Sequence, residues 1–141
     1  MLKILPCLDS DEMSASRRQE LDIPRNVAAA LGRSAVEAAV EGQYLYGDGK
    51  KVDWSRYVQD ACSAKVSIPP GASLPSHECI PFPETRIQVT NETTLGASKR
   101  LVENGLWPLA LNFANGIHPG GGFLHGSKAQ EEVLCRSSAL Y

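Results

Sequence analysis

The chain has 141 residues, 43% of them hydrophobic and 21% charged, with a formal net charge of −2 and a pI near 5.9. This is the composition of one soluble globular domain, long enough to bury a real core. It excludes a protein that binds nucleic acid through a basic patch, because counterion release needs clustered cations, and no apolar run approaches the roughly 20 residues that span a bilayer.

Four cysteines, Cys7, Cys62, Cys79 and Cys135, show neither C-x-x-C nor paired Cys/His spacing. Metal ligation and a disulfide framework are therefore not expected. The start, Met1 to Leu8, is apolar only briefly before Asp9 and Asp11, unlike a secretory signal. An intracellular, reduced protein is expected, most simply a cytoplasmic one.

Residues 1–11 read as a loosely held leader. Ser14 or Ser16 is placed to cap a first helix, which Pro24 keeps short. From Pro24 to Tyr44 the apolar residues Val27 to Leu31, Ala35, Val36 and Ala38 to Val40 recur at three and four spacing, with Arg25, Arg33, Glu37 and Glu41 between them. That pattern predicts a long packing helix, with Pro24 in its first turn and Gly42 at its end. Gly47-Asp48-Gly49 predicts a turn in a short hairpin between Tyr44 and Trp54. A further helix is expected from Trp54 or Ser55 to about Lys65. Residues 67–84 carry Pro69, Pro70, Pro75, Pro81 and Pro83 and predict an extended linker. Within it, His77-Glu78 does not open the zinc-protease motif, because Pro81 stands where the second histidine belongs.

Thr85 to Asn91 alternates and is β-branched, which predicts a strand. Thr93 or Thr94 caps a helix to about Asn104, ended by Gly105. Trp107 to Asn112 reads as a short buried strand, and Trp54 and Trp107 as core. This β-α-β order predicts parallel pairing and an α/β fold. Ligands bind beyond the carboxyl ends of such strands, which is where Asn112 to Gly122 falls.

After Pro119 come Gly120, Gly121 and Gly122. Three successive glycines lose much backbone entropy on folding, so they point to positive φ or to a backbone that must be approached closely. The dinucleotide fingerprint does not fit, because Gly126 comes one residue too late. The P-loop fails as well, since Ser127-Lys128 reverses the required order. Ser127 and Gln130 form a capping box for a helix from Lys128, giving a strand, glycine loop and helix N-terminus in the order that suits an anion. Glu131 and Glu132 follow, about 100° apart around that helix. They cannot aim at one atom, so two distinct roles are expected if both are functional. The bland reading is two solvated helix acids.

The triple glycine, a gap of seven, Gln130-Glu131-Glu132, then Leu134-Cys135-Arg136-Ser137 and Leu140-Tyr141, resembles the microbial-type poly(ADP-ribose) glycohydrolase family. Asn112-Phe113-Ala114-Asn115 leading to Pro119 also matches. The likeness extends more loosely through Thr85 to Leu95 and Gly42 to Tyr44. It implies an α/β, partial macrodomain-like three-layer fold with a mixed or parallel sheet and an N-terminal helical extension. Residues 1–84 would be that extension with its Pro-rich linker, and residues 85–141 the first part of the catalytic domain. In the family the chain continues into further strands, a second Gly-rich loop and an adenine-stacking aromatic. Residues 1–141 taken alone are therefore expected to associate and to lack activity.

The activity implied is hydrolysis of the ribose–ribose O-glycosidic bond of poly(ADP-ribose), or of ADP-ribosylated protein, releasing ADP-ribose without cofactor or metal. Glu132 maps to the general acid and base, and Glu131 to a ligand for ribose hydroxyls. Asn115 maps to the asparagine on the distal ribose, the amides of Gly120, Gly121 and Gly122 to the distal ribose and diphosphate, and Gln130 to the same substrate site. The alternatives are a macrodomain that binds ADP-ribose without turnover, and an inactive fragment. His118 and His125 flank the loop as polar filler, Cys135 reads as helix packing, and Arg136 as the partner of a nearby acid or carbonyl.

Overall fold

A chain read as alternating helices and strands builds the mixed α/β fold that this order predicts, and a computed structural model describes residues 1–74 and 82–141 of it. The elements are β1 (Leu2–Ile4), α1 (Asp11–Leu21), α2 (Arg25–Glu41), β2 (Gln43–Tyr46), β3 (Lys50–Asp53), α3 (Ser55–Ala64), β4 (Thr85–Ile87), α4 (Thr94–Glu103), a 3-10 turn (Phe123–His125) and α5 (Gln130–Arg136). Five helices with a parallel and an antiparallel strand pair agree with the partial macrodomain-like class.

The long helix is where its periodicity puts it. α2 starts after Pro24 and ends at Gly42, which takes the left-handed conformation that stops a helix cleanly. Its buried residues are Ala28, Ala29 and Gly32. They are small because the Phe123 ring and α5 pack directly on the helix backbone: a Cβ added at Gly32 would lie 2.9 Å from Phe123 O and 3.0 Å from its ring. The buried apolar residues Ala28, Ala29, Phe123, Leu134 and Cys135 all lie on α2, the 3-10 turn and α5, which contact one another. The helix that leads the chain's long α-helical stretch is thus the floor under the glycine loop.

β2 and β3 form the expected hairpin around Gly47-Asp48-Gly49. Trp54, expected in the core, is partly buried, donates Nε1–H to Ala38 O (2.8 Å) and meets Tyr44 edge-on. Asp53 Oδ1 accepts from Ser55 N–H and starts α3. α4 is capped by Thr93, whose hydroxyl accepts from Gly96 N–H, and is followed by Gly105 with positive φ.

Four expectations need correction. Ser14 and Ser16 do not cap the first helix: α1 starts one turn earlier, with the Ser10 hydroxyl accepting from Met13 N–H, and both serines lie within it. Residues 1–11 are not a loose leader: β1 pairs in parallel with β4, Leu2 opposite Thr85 and Ile4 opposite Ile87. The expected strand from Thr85 to Asn91 is correspondingly short. Pro6 has no N–H to give the ladder, so pairing breaks there and resumes as a single bridge between Leu8 and Thr90.

Trp107 to Asn112 is not a buried strand. It joins no ladder, and Trp107 is 99% exposed rather than core. Pro108 removes one donor, and the groups at Leu111 and Phe113 that a neighbouring strand would take are taken by a side chain instead. The parallel partner of β4 is therefore β1. Finally, α5 begins at Gln130 with Ala129 as its N-cap, so Ser127 does not cap it. The Ser127 hydroxyl packs against Gly122, and Gln130 is turned toward residues 111–113, leaving no capping box. Of the Pro-rich linker, Pro75, His77, Glu78, Cys79 and Pro81 lie outside the described residues.

Candidate active site at the glycine loop

The site is made by one turn of α5 and the loop that precedes it. Gln130 Oε1 accepts from Phe113 N–H (2.9 Å), and its Nε2 donates to Leu111 O (2.7 Å). Glu131 Oε2 accepts from Asn115 N–H (2.8 Å) and Oε1 from Gly120 N–H (2.9 Å). Glu132 Oε1 accepts from Gly122 N–H (3.1 Å). Three consecutive side chains thus hold the backbone from Leu111 to Gly122 through five hydrogen bonds.

The glycines permit this closeness. Gly120 and Gly121 have φ of +76° and +56°, a region that residues with a Cβ enter only with strain. Space is lacking too: a Cβ at Gly121 would land on Glu132 Oε1 and stand 3.4 Å from Glu131 Oε2. At Gly120 the neighbours are the Phe123 and Tyr141 rings, and at Gly122 the Ser127 side chain. Asn115 Oδ1 accepts from Ile117 N–H and His118 N–H, both at 2.9 Å, and so turns the chain toward Pro119. Beyond the glycines, Arg25 Nε donates to His125 O, Arg136 Nη1 to Ser127 O, and Lys128 reaches Asp22.

The reading of Glu131 and Glu132 as solvated helix acids does not survive. They are 5% and 9% exposed. Their partners differ as the 100° separation demands. Glu131 has both oxygens bonded to the loop. Glu132 has one, and its Oε2 has no partner among the described residues, yet it is not sealed from solvent. Arg136, one turn on and 8% exposed, has its basicity reduced by burial and partly restored by Glu132. Burial pushes the Cys135 thiol up, and Glu131 and Glu132 push it the same way. That thiol is the wrong species for a nucleophile.

The sequence-predicted residues Asn115, Gly120, Gly121, Gly122, Gln130, Glu131 and Glu132 therefore meet in one place. Two of these groups have internal hydrogen-bond partners. The three glycine amides, expected to face a diphosphate, are all committed internally, to Glu131, to His118 O and to Glu132. Gln130, expected at the substrate, spends its amide on the main chain. Phe123 and Gly32 were not singled out by sequence, although the small-residue face of α2 carried the signal for Gly32. His118 and His125 enter through their carbonyls. A cavity of about 720 Å³ lies between α1, α4 and the far side of α5, and of the predicted site residues it touches only Gln130. Among the described residues no three potential metal ligands stand together.

A sequence model of the microbial-type PARG catalytic domain matches residues 32–141, which takes in every residue of this loop and helix. The chain belongs to the microbial-type poly(ADP-ribose) glycohydrolase family. No curated protein and no solved structure matches it. The family match begins at Gly32, inside α2, and takes in the rest of that helix. No helix among the described residues is long and apolar enough to cross a membrane.

Proposed function

We propose that this site hydrolyses the ribose–ribose O-glycosidic bond of poly(ADP-ribose), carried on protein or free, and releases ADP-ribose, with Glu132 as general acid and then general base. The observation that carries the reading is the difference between two adjacent buried carboxylates. Glu131 has both oxygens on backbone amides, whereas Glu132 Oε2 has no partner among the described residues and is not sealed from solvent. A general acid must deliver its proton to the leaving oxygen as positive charge builds at the anomeric carbon. The resulting carboxylate then takes a proton from the attacking water. Gly122 N–H on Oε1 fixes which way the carboxyl faces while leaving Oε2 to do both transfers.

Asn115 supports the same reading. Its Oδ1 is engaged locally, so its Nδ2 remains to donate to a ribose hydroxyl. The glycines contribute closeness, because only a residue without Cβ lets the loop lie on Glu132. For a diphosphate to use Gly122 N–H, it must take the place of Glu132 Oε1.

The test is Glu132→Gln, which keeps the shape and removes the proton. Turnover should fall by about 10²- to 10⁴-fold, the usual size of a general-acid contribution, while ADP-ribose still binds by calorimetry. Near-normal turnover in the variant would remove Glu132 from this role. Binding of ADP-ribose with no turnover in the unsubstituted protein would make the chain a reader of ADP-ribose.

A further inference from the structure

Gln130 and Glu131 present different pairs of polar atoms, and the loop backbone in front of each presents the complementary pair. Before Gln130 stand one donor and one acceptor, Phe113 N–H and Leu111 C=O. A neighbouring β-strand would offer the same two groups one acceptor and one donor, and the Gln130 amide is the side-chain equivalent. Before Glu131 stand two donors, Asn115 N–H and Gly120 N–H, each on a different oxygen of the carboxylate, so an amide in its place would turn its own N–H toward one of them. Exchanging amide and carboxylate at either position would leave like facing like. At 130 two acceptors would meet, and at 131 a donor would meet a donor.

We infer that Gln130 and Glu131 are positioning residues: they read the backbone of residues 111–120 and set Asn115 and the glycine turn in register with Glu132 before any substrate arrives. The inference extends the proposed function, since what is positioned is the glycosidase site, but the positioning exists without any ligand. Glu131 is almost fully buried and spans the loop from Asn115 to the first of the three successive glycines. Releasing it frees both ends of the Asn115–Gly120 segment, which is otherwise closed by the Asn115 side-chain turn and the bond from Gly121 N–H to His118 O.

The decisive measurement is amide hydrogen exchange by NMR on the ligand-free chain, comparing the unsubstituted protein with Glu131→Gln and Glu132→Gln. In Glu131→Gln, the Asn115 or Gly120 N–H should exchange at least about tenfold faster, the loss expected for a hydrogen bond to a buried charged acceptor. Amides in the middle of α2 should keep their rates. Glu132→Gln should leave Asn115 and Gly120 unchanged. If Asn115 and Gly120 exchange normally in a folded Glu131→Gln protein that has lost ADP-ribose affinity, Glu131 is a substrate ligand and the inference is overturned. Should that variant not fold, the unsubstituted protein decides. A through-hydrogen-bond coupling between the Gly120 nitrogen and the Glu131 carboxyl carbon is expected, and its absence overturns the inference. Failure of hydrolysis would count against the proposed function and leave these readouts untouched.

Discussion

At Gly121 a single hydrogen atom separates a working loop from a collision. Gly121→Ala puts a methyl group on Glu132 Oε1 at a backbone position with φ of +56°. The backbone term alone costs about 1–3 kcal/mol. Because the displaced atom is the proposed acid, turnover should fall by more than the loss of folded protein explains, as turnover measured beside a denaturation curve would reveal. Cys135 gives a second outcome at this scale. Its thiol titrates above its ordinary range because of burial first and the two glutamates second. Cys7 and Cys62 are exposed. At pH 8 iodoacetamide should label these two before Cys135, as peptide mass spectrometry would record. A thiol pKa raised by folding favours the neutral form. Its contribution to stability is present below the unfolded thiol pKa and is lost as pH rises through the folded value. Much of the site was legible residue by residue, since triple glycine and Gln-Glu-Glu are rare enough to be read directly. The partners of Gln130 and Glu131 were not. A helix start and a backbone clip use the same residue types, and only the path of residues 111–122 tells them apart.

Among elements, α2 bears most on the site. Its alanines and Gly32 exist to let Phe123 and α5 approach. Gly32→Val would drive two methyl groups toward Phe123 O and its ring, an overpacking that typically costs about 1–3 kcal/mol. The expected result is a lower midpoint in urea together with loss of ADP-ribose binding, even though the atoms that a Cβ at residue 32 meets belong to Phe123 and not to the carboxylates. A variant with the lower midpoint and intact binding would show that the loop holds its shape without α2. Helix periodicity made α2 readable, because 17 residues repeat the pattern several times. It could not show what covers the small face. The strands were read less well for a related reason. β1 and β4 have three residues each and pair across more than 80 positions, so neither carries enough local pattern to name its partner. Trp107 to Asn112 carried a strand's composition, but its hydrogen-bonding groups at 111 and 113 went to a glutamine.

For the molecule as a whole, the apolar surface between residues 106 and 117 is the dominant physical fact. Trp107, Leu109, Leu111, Phe113 and Ile117 are all exposed. Surfaces of this kind promote association. Light scattering should therefore give a mass that climbs with protein concentration. In the same solutions at the dilute limit, acrylamide should quench Trp107 and largely spare Trp54, seen by comparing Trp107→Phe with Trp54→Phe. A mass fixed at 15.2 kDa across concentrations would contradict this expectation. The bond from Arg25 to His125 O has a consequence for how such a protein comes into being. It joins residues 100 positions apart, and the rest of the contact between α2 and the loop is similarly distant in sequence. Closing so long a loop comes at an entropic cost that local contacts do not share, and contacts of this kind slow folding. On a ribosome, α2 emerges long before anything exists to cover its small face. That face stays uncovered until α5 has been made, so the helix made first in the site is completed last.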